Sequence, residues 1–436
     1  MNTQNNLHPH IVIIGGGAGG LELATRLGKR LGKKQRARIT LIDRYAIHIW
    51  KPLLHEVAAG TLLSYQEQIS YINHAYAHHF HFQLGQLKDL DRTAKTVTLA
   101  PTLDETGQQI IPERKINYDI LVIAIGSISN NFGIPGVAQY CHQLEDQYQA
   151  NAFQQQFLGL MTKAQTQPDN PGNKPITIAI IGGGATGVEL AAELQKSILQ
   201  AVSYGFDQLN PEQDIAITLI ESSERVLAAL PERLSTAVTH ELNKLGITVY
   251  TGKRVTVVTE DTVTTHDGLV IPAKLKVWAA GIKAPDVLRQ MDGLKFNEKN
   301  QLLVTDTLQT TADADIFAFG DCAAMPHPIP PRAQAAHQQA SHLTKAIVNK
   351  LRNKPLSPYV YKDRGSLVTL GYKNTLGSLM GNLIGPSMMI EGTIAHLVYI
   401  ALYKSHQATV HGFTKMVLLT LANLLTRRIR PRLKLH

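Results

Sequence analysis

The chain has 436 residues, and at roughly 150 residues per domain that length predicts two or three domains. Apolar residues at 44%, charged residues at 18% and only two cysteines, Cys141 and Cys322, exclude a disordered, collagen-like or disulfide-stapled chain. No close cysteine pair is present, so electron transfer here would need a borrowed cofactor.

The net charge of +9 is unevenly placed: residues 392–436 hold seven Lys or Arg and no Asp or Glu. A basic tail of this kind predicts an anionic surface as partner, nucleic acid or the cytoplasmic leaflet of a membrane. Met1–His10 has no Lys or Arg, and so lacks the charged start of a secretory signal. The longest apolar stretches, Ile394–Tyr403 and Met416–Leu425, are about half of the ~20 residues a spanning helix needs. The expectation is a protein that does not cross a membrane.

In chain order, Ile11–Ile14 reads as a buried parallel strand leading into Gly15-Gly-Gly-Ala-Gly-Gly20 and a helix, Leu21–Arg30. A second strand, Arg38–Ile42, ends in Asp43. Asp119–Ala124 is a further strand, ending in Ile125-Gly126-Ser127. Gln165–Pro175, rich in Pro, Gly and Asn, reads as a surface connection. The first signal then repeats: strand Ile176–Ile181, Gly182-Gly-Gly-Ala-Thr-Gly187, helix Val188–Ser203, and strand Ile215–Ile220 ending in Glu221. Lys276–Ala280 ends in Gly281, and Ile316–Phe319 runs into Gly320-Asp321, followed by a helix, Gln334–Leu351. Beyond Pro355, Gly365–Gly377 predicts a strand pair, and two apolar helical stretches close the sequence.

Gly15, Gly17 and Gly20 satisfy G-x-G-x-x-G between a strand and a helix. The first glycine makes the tight turn, the second admits a pyrophosphate, and the third lets the helix pack on the strand. The helix N-terminus supplies free N–H groups and a positive dipole end, and Asp43 is placed to accept from a ribose. Gly182, Gly184, Gly187 and Glu221 repeat the argument. Two dinucleotide sites in one chain imply a relay between a tightly held cofactor and an exchanging one. Glu221 favours NADH over NADPH, because a carboxylate repels a 2′-phosphate; Arg225 nearby would soften that preference.

On these residues the chain resembles the two-dinucleotide-binding-domain flavoprotein superfamily and, more narrowly, the type II NADH:quinone oxidoreductases, the non-proton-pumping NADH dehydrogenases. The resemblance runs from about residue 9 to the C-terminus. Ile11–Gly20 looks like that family's FAD loop. Trp50-Lys-Pro-Leu-Leu-His-Glu-Val-Ala-Ala-Gly60, with Lys51, resembles its segment approaching the flavin, and Ala124-Ile-Gly126-Ser its crossing turn. Gly182–Glu193 resembles the NADH loop, Val277–Lys283 with Gly281 its second NADH-side turn, and Phe319-Gly-Asp321-Cys-Ala the second flavin motif. Arg332–Gln339 matches the A-Q-x-A-x-Q element associated with the quinone site.

Read from the residues alone, Gln334 and Gln338 lie four apart on a helix beside small residues. That pattern suits a slot for a flat quinone and equally a polar helix surface packed on a neighbour. Glu189 reads either as a solvated charge at a helix N-terminus or, by the resemblance, as a carboxylate where nicotinamide, flavin and quinone meet. His55 and His337 are candidate proton donors among 18 histidines. The helix from Phe413 with apolar residues at 413, 416, 417, 421, 424 and 425, followed by the basic cluster 426–434, reads as an interfacial anchor. That cluster has no interleaved aromatics, against a nucleic-acid arm.

The resulting expectation is an α/β fold of two Rossmann-like dinucleotide-binding domains plus a C-terminal membrane-associating region. Residues 1–145 and 301–355 form the two parts of an FAD-binding domain, 146–300 the NADH-binding domain and 356–436 the anchor. The implied function is transfer of electrons from NADH through FAD to a membrane quinone, without proton pumping, on the cytoplasmic face of the inner membrane. Its partners are NADH, a quinone and an anionic lipid surface, with a homodimer left open. The rivals are a sulfide:quinone oxidoreductase, which needs cysteines at the flavin, and a regulatory protein that binds both nucleotides without turnover.

Overall fold

A computed structural model describes residues 8–104, 106–168, 170, 172, 175–370, 375–379, 388–391, 400, 401, 403, 404 and 407–426. The basic cluster from 427 onward and most of the helical stretch expected at Ile394–Tyr403 lie outside them.

Strand β1 (His10–Ile14) leads through the first glycine loop into α1 (Ala18–Arg30) and β2 (Arg38–Asp43). There follow α2 (Leu54–Ala59), α3 (Tyr71–His78), β3 (His81–Leu84), an antiparallel trio β4 (Leu87–Asp91), β5 (Thr96–Leu99) and β6 (Arg114–Asn117), and β7 (Ile120–Ile123). Helix α4 (Gln147–Thr166) precedes β8 (Ile176–Ile181), α5 (Ala185–Ser203), β9 (Ile215–Ile220), α6 (Glu232–Lys244) and β10 (Thr248–Tyr250). A second antiparallel trio, β11 (Val255–Val258), β12 (Thr262–Thr265) and β13 (Val270–Pro272), runs into β14 (Leu275–Trp278). Strand β15 (Ile316–Ala318) and α7 (Ala333–Lys350) come next. They are followed by β16 (Ser366–Thr369), β17 (Thr375–Leu379), β18 (Met388–Glu391) and α8 (Phe413–Thr426).

These elements divide into two compact units, each interrupted in sequence. The first comprises residues 1–50, 67–128 and 282–361, the second 51–66, 129–281 and 362–436. In the first unit the sheet order is β15-β7-β1-β2-β3, all parallel. Every residue of β1 is buried, as expected of a strand covered on both faces. In the second unit the order is β10-β9-β8-β14, again all parallel. Each sheet thus repeats one doubly wound pattern, with its glycine loop at the end of the first strand, where the crossover direction reverses.

Within the second unit α2 packs on α5. Ser197 Oγ donates to the Ala59 carbonyl, and Thr61 Oγ1 donates to Glu193 Oε2 at 2.8 Å. The expected C-terminal strand pair is present as β16 and β17, and β18 adds an antiparallel third strand. Helix α8 leaves Phe413 72%, Leu418 64%, Leu421 52% and Leu425 77% exposed. Among the described residues no helix is long and apolar enough to cross a membrane.

Candidate functional site

The first loop is shaped by glycine geometry. Gly15 adopts φ +101°, and a Cβ there would fall 2.3 Å from the Ala124 carbonyl oxygen, so only glycine fits. A Cβ on Gly20 would meet the Gly15 carbonyl oxygen at 1.8 Å, which is what lets α1 start against the turn. Gly17 differs: among the described residues nothing beyond its own turn and helix backbone lies within 4 Å of where its Cβ would stand. It also caps α1 with no side-chain hydrogen bond to the first N–H groups, leaving the open, dipole-positive end that a pyrophosphate fits.

Asp43 fixes this loop. Its Oδ2 accepts from the Gly16 N–H at 2.6 Å and its Oδ1 from the Tyr45 N–H at 2.9 Å. Burial pushes the carboxyl above the usual range, and those two backbone bonds oppose it. The Gly16 carbonyl accepts from Tyr71 OH at 2.6 Å and from His48 Nδ1 at 2.9 Å. Gly126 (φ +68°) and Gly320 (φ +74°) each face open space. Beside them, Ser127 Oγ donates to Asp321 Oδ2 at 2.8 Å.

The second loop repeats this design almost atom for atom. Gly182 has φ +116°, its Cβ position 2.7 Å from the Ala279 carbonyl. A Cβ on Gly187 would meet the Gly182 carbonyl oxygen at 2.0 Å, while Gly184 faces open space and caps α5 without a side-chain bond. Glu221 plays the part of Asp43: Oε2 accepts from the Gly183 N–H at 2.6 Å and Oε1 from the Ser223 N–H at 2.7 Å. Arg225, expected to soften the nucleotide preference, bonds within its own turn. Its guanidinium donates to the carbonyls of Leu230 (2.8 Å) and Ala228 (2.9 Å), closing its own turn. Gly281, at φ +67°, lies against the Phe132 ring.

In the second unit a buried polar cluster forms where α2 meets α5. Glu189 is buried rather than solvated; its Oε1 accepts from the Thr369 N–H at 3.1 Å, and its Oε2 lies 3.7 Å from His55 Nδ1. Burial, reinforced by Glu56 and Glu193, raises its carboxyl to about 8. Burial also lowers His55 to about 4. Glu193, one turn further along α5, is held by Thr61 and by Lys196 at 3.0 Å. Lys51 is exposed at the start of the short turn that precedes α2.

On α7, Gln334 and Gln338 are half-buried. Two further residues tie this helix to the fold. Gln339 Oε1 accepts from the Gly320 N–H at 2.9 Å. His337 Nδ1 bonds Glu22 Oε2 at 2.6 Å, and Arg26 Nε donates to Glu22 Oε1 at 2.7 Å; Glu22 is fully buried. Sequence reasoning missed Glu22 and Gln339. Their signal was polar residues on the apolar faces of predicted helices.

Neither cysteine suits sulfur chemistry. Burial pushes Cys322 up to about 11 and Cys141 up to about 12, so neither offers a thiolate near neutrality.

Two parallel sheets, each with an uncapped glycine loop at its switch point, define an α/β architecture with two nucleotide-type loops. Residues 9–340 match the family model described as pyridine nucleotide-disulphide oxidoreductase. The chain is 44% identical to a type II NADH:quinone oxidoreductase of Haemophilus influenzae, over 98% of this chain and all of that one. It is 28% identical to one of Staphylococcus aureus, over 86% and 90%. This chain belongs to the type II NADH:quinone oxidoreductase family. In fold it is similar to NDH2 from Plasmodium falciparum solved with NADH (TM-score 0.82, 20% identity, 98% and 100% coverage). It is also similar to the sulfide:quinone oxidoreductase of Aquifex aeolicus (TM-score 0.72, 21% identity, 93% and 92% coverage).

Proposed function

We propose that this chain passes two electrons from NADH to a membrane quinone, with FAD as the resident cofactor and no proton pumping. The observation that carries the reading is the duplicated loop. In each unit the second glycine faces a space that, among the described residues, nothing beyond its own turn and helix fills, at the uncapped N-terminus of a helix. The residues present therefore fit two pyrophosphates.

In this reading the loop at Gly15, Gly17 and Gly20 holds the FAD pyrophosphate on the α1 dipole, and Asp43 accepts from its ribose while steadying Gly16. Ala124, Gly126 and Asp321 line the remainder of that site. NADH docks on Gly182, Gly184 and Gly187, with Gly281 on the second NADH-side turn and Glu221 bonding the 2′-hydroxyl. The isoalloxazine supplies the two-electron chemistry when bound. Glu189, neutral at pH 7 because it is buried, holds a proton for the quinone half-reaction. Gln334 and Gln338 offer amide donors to the quinone carbonyls.

Helix α8, with four large apolar side chains in solvent, lies on the cytoplasmic face of the inner membrane as a monotopic anchor. The inert cysteines disfavour the sulfide reading. The test is cofactor release and turnover. The purified protein should yield FAD on denaturation and oxidise NADH only when a quinone is supplied; FMN, or turnover with sulfide instead of NADH, would overturn the proposal.

A further inference from the structure

The groove between α1 and α7 carries chemistry that neither glycine loop uses. Residues 26–38 include seven Lys or Arg and no Asp or Glu. Arg26, Lys29 and Arg30 line one wall of a cavity of about 280 Å³, and Ser341, Thr344 and Lys345 of α7 line the other. Positions 22, 26, 29 and 30 share one face of α1, as 337, 341, 344 and 345 share one face of α7.

The negative end of the helix dipole accounts for Lys29 and Arg30 in the last turn of α1. It does not account for Arg26, or for Lys345 facing them from the middle of α7. The carboxylate at this end of the groove, Glu22, is fully buried and bonded by both Arg26 and His337. Its charge is matched within the protein. Anchoring through Nε also orients the Arg26 guanidinium, whose side chain remains 33% exposed. Beyond the Arg26–Glu22 pair, the cavity walls carry Lys29, Arg30 and Lys345 and, among the described residues, no further carboxylate, an excess of positive charge.

We propose that this groove binds a phosphate-bearing anion, with Arg26, Arg30 and Lys345 as charge partners and Ser341 Oγ as a hydroxyl donor. Phosphoryl oxygens suit the planar fork of arginine and the point charge of lysine. Thr344 contributes wall rather than donor, because its hydroxyl already donates to the Ala340 carbonyl at 2.8 Å. The volume sets the size of ligand. Pockets for drug-sized molecules begin at about 300 Å³, so the cavity takes a phosphoryl headgroup and not a dinucleotide. Two sources share this chemistry, a phospholipid headgroup and free phosphate.

The experiment uses the flavin-loaded protein saturated with NAD+, so that both glycine loops are occupied, at constant ionic strength. Inorganic phosphate and pyrophosphate are titrated calorimetrically, and sedimentation is measured with vesicles of phosphatidylglycerol or of phosphatidylcholine. The variant Arg30→Gln/Lys345→Gln changes two exposed side chains, leaving the fold and NADH-driven flavin reduction intact. We expect its affinity for the anion to fall about tenfold or more, from the loss of two cation–phosphate contacts. Weakened phosphate binding with unchanged sedimentation identifies a free anion. Weakened sedimentation on phosphatidylglycerol alone identifies a lipid headgroup. If parent and variant bind phosphate and both vesicles equally, or the parent binds neither, the site does not exist.

Discussion

Glu189 and His55 sit 3.7 Å apart, and burial moves them in opposite directions, the carboxyl to about 8 and the imidazole to about 4. Both are uncharged at pH 7, and the stability linkage follows in two windows. Glu189 binds more protons folded than unfolded, so its contribution is full below about 4.5 and is lost as pH rises through about 8. His55 binds fewer, so its contribution is full above about 6.5 and is lost as pH falls through about 4. Glu189→Gln should therefore flatten the alkaline decline in Tm while leaving the acid side alone, measured by thermal denaturation from pH 5 to 9. If Glu189 also holds a proton for the quinone, the same variant should slow reoxidation by quinone and spare flavin reduction by NADH. The glycines give a second prediction at this scale. Alanine at 17 or 184 meets, among the described residues, nothing beyond its own turn and helix, and needs no left-handed φ, so Gly17→Ala and Gly184→Ala should fold normally. Gly17→Ala should lose flavin, and Gly184→Ala should keep it while KM for NADH rises about tenfold, a loss of ~1.4 kcal/mol in binding. Variants that unfold, or that bind both nucleotides as the parent does, would show that these open spaces are not pyrophosphate sites.

Helix α7 shows which elements could be read in advance. Its extent, Ala333–Lys350, matches the expected Gln334–Leu351 within one residue, because apolar spacing and chain composition encode a helix locally. What the helix is tied to was not legible. The bonds to Glu22 and to Gly320 join residues 315 and 19 positions apart, and a polar residue on an apolar face does not name its partner. Gln339→Leu leaves the Gly320 N–H without its acceptor, so it should cost about 1–3 kcal/mol and loosen flavin retention; denaturant titration and flavin content measure both. At the C-terminus, the helix expected from Phe413 is present as α8, with Phe413, Leu418, Leu421 and Leu425 in solvent. Removing residues 412–436 should abolish co-sedimentation with anionic vesicles and leave reduction of a water-soluble quinone analogue intact, whereas full sedimentation of the truncated protein would dismiss the anchor.

The duplicated strand–loop–helix pattern, visible from Ile11 and again from Ile176, foretold the two parallel sheets because each glycine loop dictates its own backbone path. How the chain is shared between the units is a matter of packing and could not be read the same way. Lys51–Gln66 lies between two segments of the first unit, yet packs with the second through α2 against α4 and α5. The antiparallel trios, β4–β6 and β11–β13, went unread for a related reason: their alternation is partial and their pairing is set by neighbouring strands. Two loops of matching geometry support one central claim, a relay in which NADH reduces a flavin and a quinone reoxidises it. The most direct measurement is anaerobic stopped-flow spectroscopy of the purified protein in two stages. NADH alone should bleach the flavin absorbance in a single fast phase, and a quinone added afterwards should restore it stoichiometrically. A flavin that NADH leaves oxidised, or that stays reduced in the presence of quinone, would contradict the account.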